Sequence, residues 1–260
     1  MTAPDSDFIV IADLHLQPEE HATMALANRF LATLASRTRH LYIAGDLVEY
    51  WIGDDAHEDD LGDTVRLLRD LADHGTAITV MHGNRDFLLG DAFAARINGR
   101  IERDDHIVIT TGDRRVLLLH GDTLCTDDHR YQSMRAQLRS QQWQQAFLTQ
   151  SVEARHAFAR SARQQSREDT QQKSDAIMDV NQAAVTNLMT ETGITDIVHG
   201  HTHRPAVHNV ALPATQDGRH TAGQRWVVGD WHPDHAMYVE ASNGTLALKR
   251  WPPLSDTTKT

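Results

Sequence analysis

Short apolar runs alternate with amphipathic segments along the first part of the chain. Residues 8–12, 41–44 and 77–81 are mostly apolar, which predicts short buried strands. Residues 19–37 and 61–73 carry their apolar side chains near helical spacing, which predicts a helix after each of the first two strands. This β-α-β-α-β order indicates a mostly parallel sheet with helices on its faces.

The later part of the chain has the pattern of further strands. Residues 107–119 contain two apolar runs on either side of Gly112-Asp113, which is typical of a hairpin, and residues 194–198 form another apolar run. Turn signals at Asp217-Gly218 and Asn243-Gly244 punctuate the rest. Four β-like runs lie there, at 206–212, 226–228, 236–239 and 246–248. Together these runs predict a second sheet.

Between the hairpin and the next strand the pattern becomes helical. Residues 128–190 contain neither Gly nor Pro, and large apolar side chains recur there at helical spacing. We therefore expect an α/β protein whose core is a two-sheet β-sandwich flanked by helices, formed by residues 1–127 and 191–260. Residues 128–190 would be a helical insertion that forms a lid, although helices that merely pack on the body would show the same pattern.

Composition and charge exclude several classes of protein. A net charge of −11 over 260 residues argues against a broad nucleic-acid-binding surface. No apolar run approaches the roughly 18 residues of a membrane span, and the N-terminus has no basic segment typical of a secretory signal. Cys125 is the single cysteine, so an internal disulfide is impossible, which fits a reducing compartment. Positive charge is concentrated in residues 128–173, mostly as arginine, which suits phosphate contacts.

Polar segments follow five of the predicted strands. In an open α/β sheet, ligands bind at the carboxyl ends of the strands, so side chains at these points can meet. The segments are Asp13-Leu14-His15, Gly45-Asp46, Gly83-Asn84-Arg85-Asp86, His120-Gly121-Asp122 and Gly200-His201-Thr202-His203. Each segment alone has an ordinary structural explanation, such as a helix cap, a turn or a packed polar side chain. Their shared position at strand ends favours a common site.

The residue types in these segments suit a two-metal centre. Ions such as Mn²⁺ favour a mixed shell of carboxylate and imidazole ligands, and two adjacent ions need a bridging anion, which a carboxylate can supply. Asp13 and His15 are two residues apart, so on a straight strand they would share one face. His201 and His203 have the same spacing, and Gly45 leaves room for a close approach to Asp46.

These motifs resemble the calcineurin-like metallophosphoesterase superfamily. The segments that carry the resemblance are Ile11–Leu16, Ala44–Leu47, His82–Asp86, His120–Asp122 and Gly200–Pro205. Many members have His where Arg85 stands in this chain. The Arg form, together with Gly121–Asp128 and Ile177–Asn181, is similar to the group that acts on a lipid-linked UDP-sugar in lipid A biosynthesis. The similarity extends from about residue 8 to 251, including the insertion.

The resemblance implies two Mn²⁺ ions per chain, bridged by Asp46. The ligands of the first ion would be Asp13, His15, Asp46 and His203, and those of the second Asp46, Asn84, His120 and His201. Catalytic roles are implied for Asp46, Asn84, Arg85 and His120. The implied substrate contacts are Asn84, Arg85, Asp128, Ser166, Thr170, Lys173 and His201.

The implied reaction is hydrolysis of the pyrophosphate bond of UDP-2,3-diacylglucosamine, with water attacking the α-phosphorus. The products would be UMP and 2,3-diacylglucosamine 1-phosphate. The insertion would hold the acyl chains, unless its apolar residues only pack in the core; the candidates are Tyr131, Met134, Leu138, Trp143, Phe147, Phe158 and Ile177. The expected location is the cytoplasmic face of the inner membrane, as a peripheral protein without nucleic acid or an obligate protein partner.

Two alternatives remain open at this point. The first is another phosphoesterase, such as a nuclease, a phosphoprotein phosphatase or a different nucleotide pyrophosphatase; acidic net charge counts against the nuclease. The second is a non-catalytic binding protein on the same scaffold, which would predict lost ligands, whereas all seven are present.

Overall fold

The computed structural model describes residues 4–33, 37–56, 61–172, 179–214 and 220–253. Two sheets form the core. The strands are β1 Phe8–Ile11, β2 His40–Ile43, β3 Ala77–Met81, β4 Arg100–Glu102, β5 His106–Thr111, β6 Arg114–Leu119, β7 Asp196–His199, β8 Ala206–Ala214, β9 His220–Val227, β10 Ala236–Ser242 and β11 Thr245–Trp251. The helices are α1 His21–Thr33, α2 Gly62–Asp73, α3 Asp91–Ile97, α4 His129–Leu138, α5 Gln141–Leu148, α6 Val152–Gln172 and α7 Gln182–Thr192.

The sheets are mixed, but the strands that precede the polar segments run parallel within each. The first sheet has the order β11-β10-β1-β2-β3-β4, and the second has the order β5-β6-β7-β9-β8. Strands β1 to β4 are parallel, as are β6, β7 and β9. The carboxyl ends of β1, β2 and β3 therefore share one edge of the first sheet, and those of β6 and β7 share one edge of the second.

The main core lies between the two sheets. Phe8 and Val10 pack in a cluster that also contains Leu118 and Val198 from the second sheet. Because side chains alternate along a strand, the intervening residue Ile9 joins a different cluster, with α1 and α2. Strands buried on both faces need apolar residues at every position, which explains the unbroken apolar runs in the sequence.

The two-sheet α/β architecture is confirmed, but the prediction for the C-terminal strands is partly wrong. Strands β10 and β11 belong to the first sheet, where β10 pairs antiparallel with β1. Their alternating pattern specifies a strand but not its partner, so the sequence could not assign the sheet. The Asn243-Gly244 turn is confirmed: both residues have positive φ and join β10 to β11. Asp217-Gly218 lies outside the described residues.

Two elements have no counterpart in the sequence prediction. Helix α3 has seven residues and β4 has three, and such short segments show too little periodicity to be recognised. Helix α3 ends at Asn98, which adopts the left-handed conformation at its C-terminus.

Helices occupy the region of the predicted insertion. Phe147 of α5 and Ala159 of α6 pack in the cluster under the first sheet, whereas Val185 and Met189 of α7 pack under the second. The domain boundaries at 128 and 190 stay a prediction. Among the described residues, no helix is both long enough and apolar enough to cross a membrane.

Candidate metal centre

Most of the predicted metal ligands lie in left-handed backbone directly after strands. Asp13, His15, Asp46, His201 and His203 have φ between +47° and +67°, where residues other than Gly are uncommon. The prediction that Asp13 and His15 share one face of a straight strand is therefore wrong: β1 ends before both. Backbone of this kind collects at functional sites, where the surrounding structure holds it in place.

Close backbone contacts bring the loops together. The amide of Asp13 donates to the carbonyl of Gly45 at 3.1 Å, and the amide of His15 donates to the carbonyl of Asp46 at 3.0 Å. A Cβ atom added at Gly83 would lie 2.1 Å from Oδ1 of Asp46. Only glycine fits at position 83, because any side chain there would collide with the Asp46 carboxylate.

One group of ligand candidates combines Asp13, His15 and His203, whose ligand atoms all lie within 4.8 Å of one another. Nε2 of His15 is 3.2 Å from Nε2 of His203. Nε2 of His203 is 3.8 Å from Oδ1 of Asp13. Oδ2 of Asp46 approaches this group at 3.7 Å from Nε2 of His15.

A second group lies on the other side of Asp46. The same Oδ2 of Asp46 is 3.7 Å from Nε2 of His120. The side-chain amide of Asn84 lies 2.9 Å from Nε2 of His120 and 2.8 Å from Nδ1 of His201. Asp46 therefore stands between the two groups, at the position that a bridging ligand needs. The structure brings all seven predicted ligands together.

The two buried carboxylates respond differently to their surroundings. Burial raises the pKa of Asp13 above its usual value. Burial would raise the pKa of Asp46 too, but the charges of His120, His15 and Arg85 outweigh it and hold that pKa below its usual value. Asp46 is therefore the better of the two at keeping its negative charge at neutral pH.

The pKa values of two ligand histidines, His15 and His201, are shifted in opposite directions. Burial would lower the pKa of His15, but its hydrogen bond to Glu49 and the charges of Asp46 and Asp13 raise it to about 9. Burial lowers the pKa of His201 to about 4. The carboxylates of the first group thus favour positive charge at His15.

The residues of both groups fit divalent cations. Oδ1 of Asp13 is buried and has no hydrogen-bond partner, although buried carboxylate oxygens are normally satisfied. Nε2 of His15 and Nε2 of His203 face each other at 3.2 Å and lie 3.7 and 3.8 Å from the carboxylate oxygens of Asp46 and Asp13. A cation would satisfy these atoms together, and the mixed carboxylate, imidazole and amide set suits ions of the Mn²⁺ and Zn²⁺ type.

Comparison with known proteins identifies the family. The model of the calcineurin-like phosphoesterases matches residues 6–205. The chain belongs to this family. It is 43% identical to a UDP-2,3-diacylglucosamine hydrolase of Chromohalobacter salexigens, over 90% of this chain and 93% of that protein. Proteins of the same name from Chromobacterium violaceum and Escherichia coli are 45% and 44% identical, covering 91% and 94% of this chain and 95% and 98% of theirs. The resemblance drawn from the motifs is confirmed, and this phosphoesterase is a hydrolase.

A cleft of about 230 Å³ opens over the metal centre of this phosphoesterase. Its lining contains three residues predicted to contact substrate, Asn84, Arg85 and His201. The remaining lining residues are His15, Asp46, Glu49 and His203. Arg85 brings a guanidinium to this lining, and its charge acts on both Asp46 and Glu49. The cleft therefore combines ligands for cations with a guanidinium suited to phosphate.

The other predicted substrate contacts lie outside this lining or outside the described residues. Asp128 caps α4 by accepting the amide of Tyr131 at 3.1 Å, and Ser166 is half-buried on α6. Lys173 and the side chain of Thr170 lie outside the described residues. Substrate contact by these four residues stays a prediction.

Two carboxylates that support the ligands were missed as sequence candidates. Asp86 is fully buried and accepts the backbone amides of Gly83 at 2.8 Å, Asp46 at 3.2 Å and Leu47 at 2.7 Å. Glu49 forms an ion pair with His15, its Oε2 lying 2.9 Å from Nδ1. Asp86 stands within a motif and could have been singled out there, whereas Glu49 is marked only by its place three residues after Asp46.

A third carboxylate, Asp122, ties the first helix of the insertion to the loop after β6. It accepts from the hydroxyl of Tyr131 at 2.6 Å and from Nε of Arg135 at 2.7 Å. Burial would raise the pKa of Asp122, but His120, His201 and Arg135 hold it well below its usual value. Tyr131, predicted to line an acyl site, thus directs its hydroxyl to Asp122, while its ring lies 6.0 Å from that of His201.

Proposed function

We propose that this phosphoesterase hydrolyses the pyrophosphate bond of UDP-2,3-diacylglucosamine, giving UMP and 2,3-diacylglucosamine 1-phosphate in lipid A biosynthesis. The observation that carries the proposal is the cleft in which Asp46, 3.7 Å from both His15 and His120, lies beside Arg85. The substrate is supported by relatives named UDP-2,3-diacylglucosamine hydrolase, which are 43–45% identical across nine-tenths of the chain.

In this proposal Asp13, His15, Asp46 and His203 hold one cation, and Asp46, Asn84, His120 and His201 hold the other. When bound, two divalent cations, which we propose to be Mn²⁺, neutralise phosphate charge and lower the pKa of a water molecule toward about 7. Nδ1 of His120 donates to the carbonyl of Ala44 at 2.9 Å. This bond places the ring proton on Nδ1 and leaves the Nε2 lone pair available on the side of Asp46.

Arg85 would stabilise the charge that develops on the phosphate oxygens during attack at the α-phosphorus. The Arg85 side chain is half-buried beside the ligand groups, and a preorganised guanidinium stabilises such charge more strongly than free solvent does. The departing 2,3-diacylglucosamine 1-phosphate leaves as a phosphate anion, which needs no proton at the moment of bond cleavage. Arginine in place of the histidine of other members therefore suits cleavage of a pyrophosphate.

The test is Mn²⁺-dependent release of UMP from UDP-2,3-diacylglucosamine, with UDP-N-acetylglucosamine and bis-p-nitrophenyl phosphate assayed in parallel. Turnover in heavy-oxygen water should place the label in UMP, because water attacks the α-phosphorus. Label in the lipid phosphate would contradict that position of attack. Turnover of the simple phosphodiesters alone would retain the metal centre and reject the lipid substrate, and Asp46→Ala should abolish turnover in a protein that remains folded.

The helical insertion would hold the acyl chains and contact the inner-membrane surface. Met134, Leu148 and Phe158 are 45%, 42% and 41% exposed, and all three lie on its helices. Arginines of the insertion can meet anionic headgroups. Sedimentation with vesicles of anionic phospholipid tests this location; a protein that stays in the supernatant at low salt would refute it.

A further inference from the structure

Glu49 joins the insertion to a ligand of the metal centre. Its Oε1 accepts from Nε and Nη2 of Arg163, at 2.9 and 2.8 Å, and its Oε2 forms an ion pair with Nδ1 of His15 at 2.9 Å. Arg163 lies on α6, 114 residues away along the chain, and its guanidinium also covers the ring of Tyr50 at 5.7 Å. The two carboxylate oxygens are thus divided between the insertion and the metal centre.

The position of His15 depends on this carboxylate. Nδ1 of His15 lies 2.9 Å from the Glu49 carboxylate, and Nε2 faces Asp46 and His203, at 3.7 and 3.2 Å. A carboxylate on the far nitrogen of a ligand histidine fixes its tautomer and its ring orientation. His15 also has a φ of +47°, so its backbone conformation needs support from the surrounding structure.

His120 offers a contrast within the same centre. Its Nδ1 is held by the backbone carbonyl of Ala44, which belongs to the rigid core between the sheets. Unlike His120, His15 is therefore linked, through Glu49, to a side chain of α6.

We propose that Glu49 is a positioning residue for His15, and that Arg163 couples the docking of α6 to cation binding at Asp13, His15 and His203. The inference rests on the proposed function only in requiring that cations bind there. Because coupling is reciprocal, a cation that binds better when α6 is docked must stabilise docking by the same factor. The insertion then closes most firmly over a loaded centre.

An ordinary exposed ion pair would not have this effect, since such pairs contribute little and influence nothing beyond themselves. The three members of this chain are instead largely buried: the side chains of Glu49, Arg163 and His15 are 14%, 18% and 20% exposed. The decisive difference is selectivity. A coupling device changes one cation site and leaves the site of His120 intact.

Calorimetric titration of the metal-free protein with Mn²⁺, without substrate, tests the first half of the proposal. Glu49→Gln should weaken one of the two sites by roughly 10–100-fold, the usual effect of removing such a partner, and leave the other unchanged. Arg163→Gln should weaken the same site less, and the double variant should resemble Glu49→Gln because the residues act in series. Arg160→Gln, exposed on the same helix, is the matched control and should bind as wild type.

Amide hydrogen exchange of residues 152–172 tests the second half. Mn²⁺ should slow exchange of this helix in wild type and in Arg160→Gln, but not in Glu49→Gln. Two unchanged Mn²⁺ sites in Glu49→Gln, or protection of α6 that ignores Mn²⁺ in wild type, would overturn the coupling. Both results leave the proposed reaction intact, whereas coupled Mn²⁺ binding without turnover of UDP-2,3-diacylglucosamine would reject the reaction alone. Wild type that binds no Mn²⁺ would reject both.

Discussion

Gly83→Ala should damage the metal centre while adding a single methyl group. The new Cβ would lie 2.1 Å from Oδ1 and 2.3 Å from the backbone nitrogen of Asp46, and real Cβ atoms essentially never approach closer than 3.0 Å. The φ of Gly83 is outside the left-handed region, so the effect is a collision and not backbone strain. One of the two loops must therefore move by roughly an ångström.

Two consequences follow from a shift of that size. A displacement of about 1 Å at a catalytic group can cost on the order of 10²-fold in rate, and overpacking a close-packed interior typically costs about 1–3 kcal/mol of stability. We expect Mn²⁺-dependent phosphodiester hydrolysis to fall by about 10²-fold, together with weaker Mn²⁺ binding by calorimetry. Urea unfolding should show a loss of stability of about 1–3 kcal/mol.

Gly62→Ala is the matched control for this substitution. No atom lies within 4 Å of the Cβ it would add, and Gly62 begins α2 with an ordinary φ. The same change should therefore stabilise the protein slightly, by about 0.4–1 kcal/mol, and leave activity intact. If Gly83→Ala bound Mn²⁺ and turned over like wild type, the contact between Gly83 and Asp46 could not be a constraint on the centre.

Three further outcomes are expected. Acid should destabilise the fold through His40, because burial lowers its pKa in the folded state from 6.5 to about 4. As the pH falls, the unfolded chain is protonated at this ring before the folded protein is. Stability present above pH 6.5 is therefore lost toward pH 4, by about 1–2 kcal/mol for this partly exposed ring. His40→Gln should flatten that part of the profile in urea unfolding, and an unchanged slope would exclude His40 as its source. Arg155→Ala should lower the free energy of unfolding by about 1–3 kcal/mol in the same assay, because this buried guanidinium donates to the carbonyl of Ile52 at 2.6 Å and to Asp55. Arg160→Ala should leave the free energy of unfolding unchanged. Equal losses in the two variants would indicate a general effect on the helix. Chelation should lower the melting temperature, and Mn²⁺ at about a hundredfold excess over its Kd should restore about 2.7 kcal/mol; a melting temperature indifferent to Mn²⁺ would contradict the metal centre.

Local patterns determined much of this protein from its sequence. The unbroken apolar runs before Asp13, Asp46 and Asn84 specified buried strands, because a strand covered on both faces must be apolar at each position. The polar segments after those runs specified the ligand types, since the carboxyl ends of parallel strands meet at one edge. These features depend on neighbours in sequence, so they can be read without a structure.

The tertiary structure decided what depends on distant partners. It placed β10 beside β1, put Asp13 and His15 in left-handed turns, and set Glu49 between His15 and Arg163. An isolated glutamate and an arginine 114 residues apart carry no shared periodicity. Their contact arises only when α6 packs against the body, because the packing of whole elements, and not any local preference, brings such side chains within hydrogen-bonding distance.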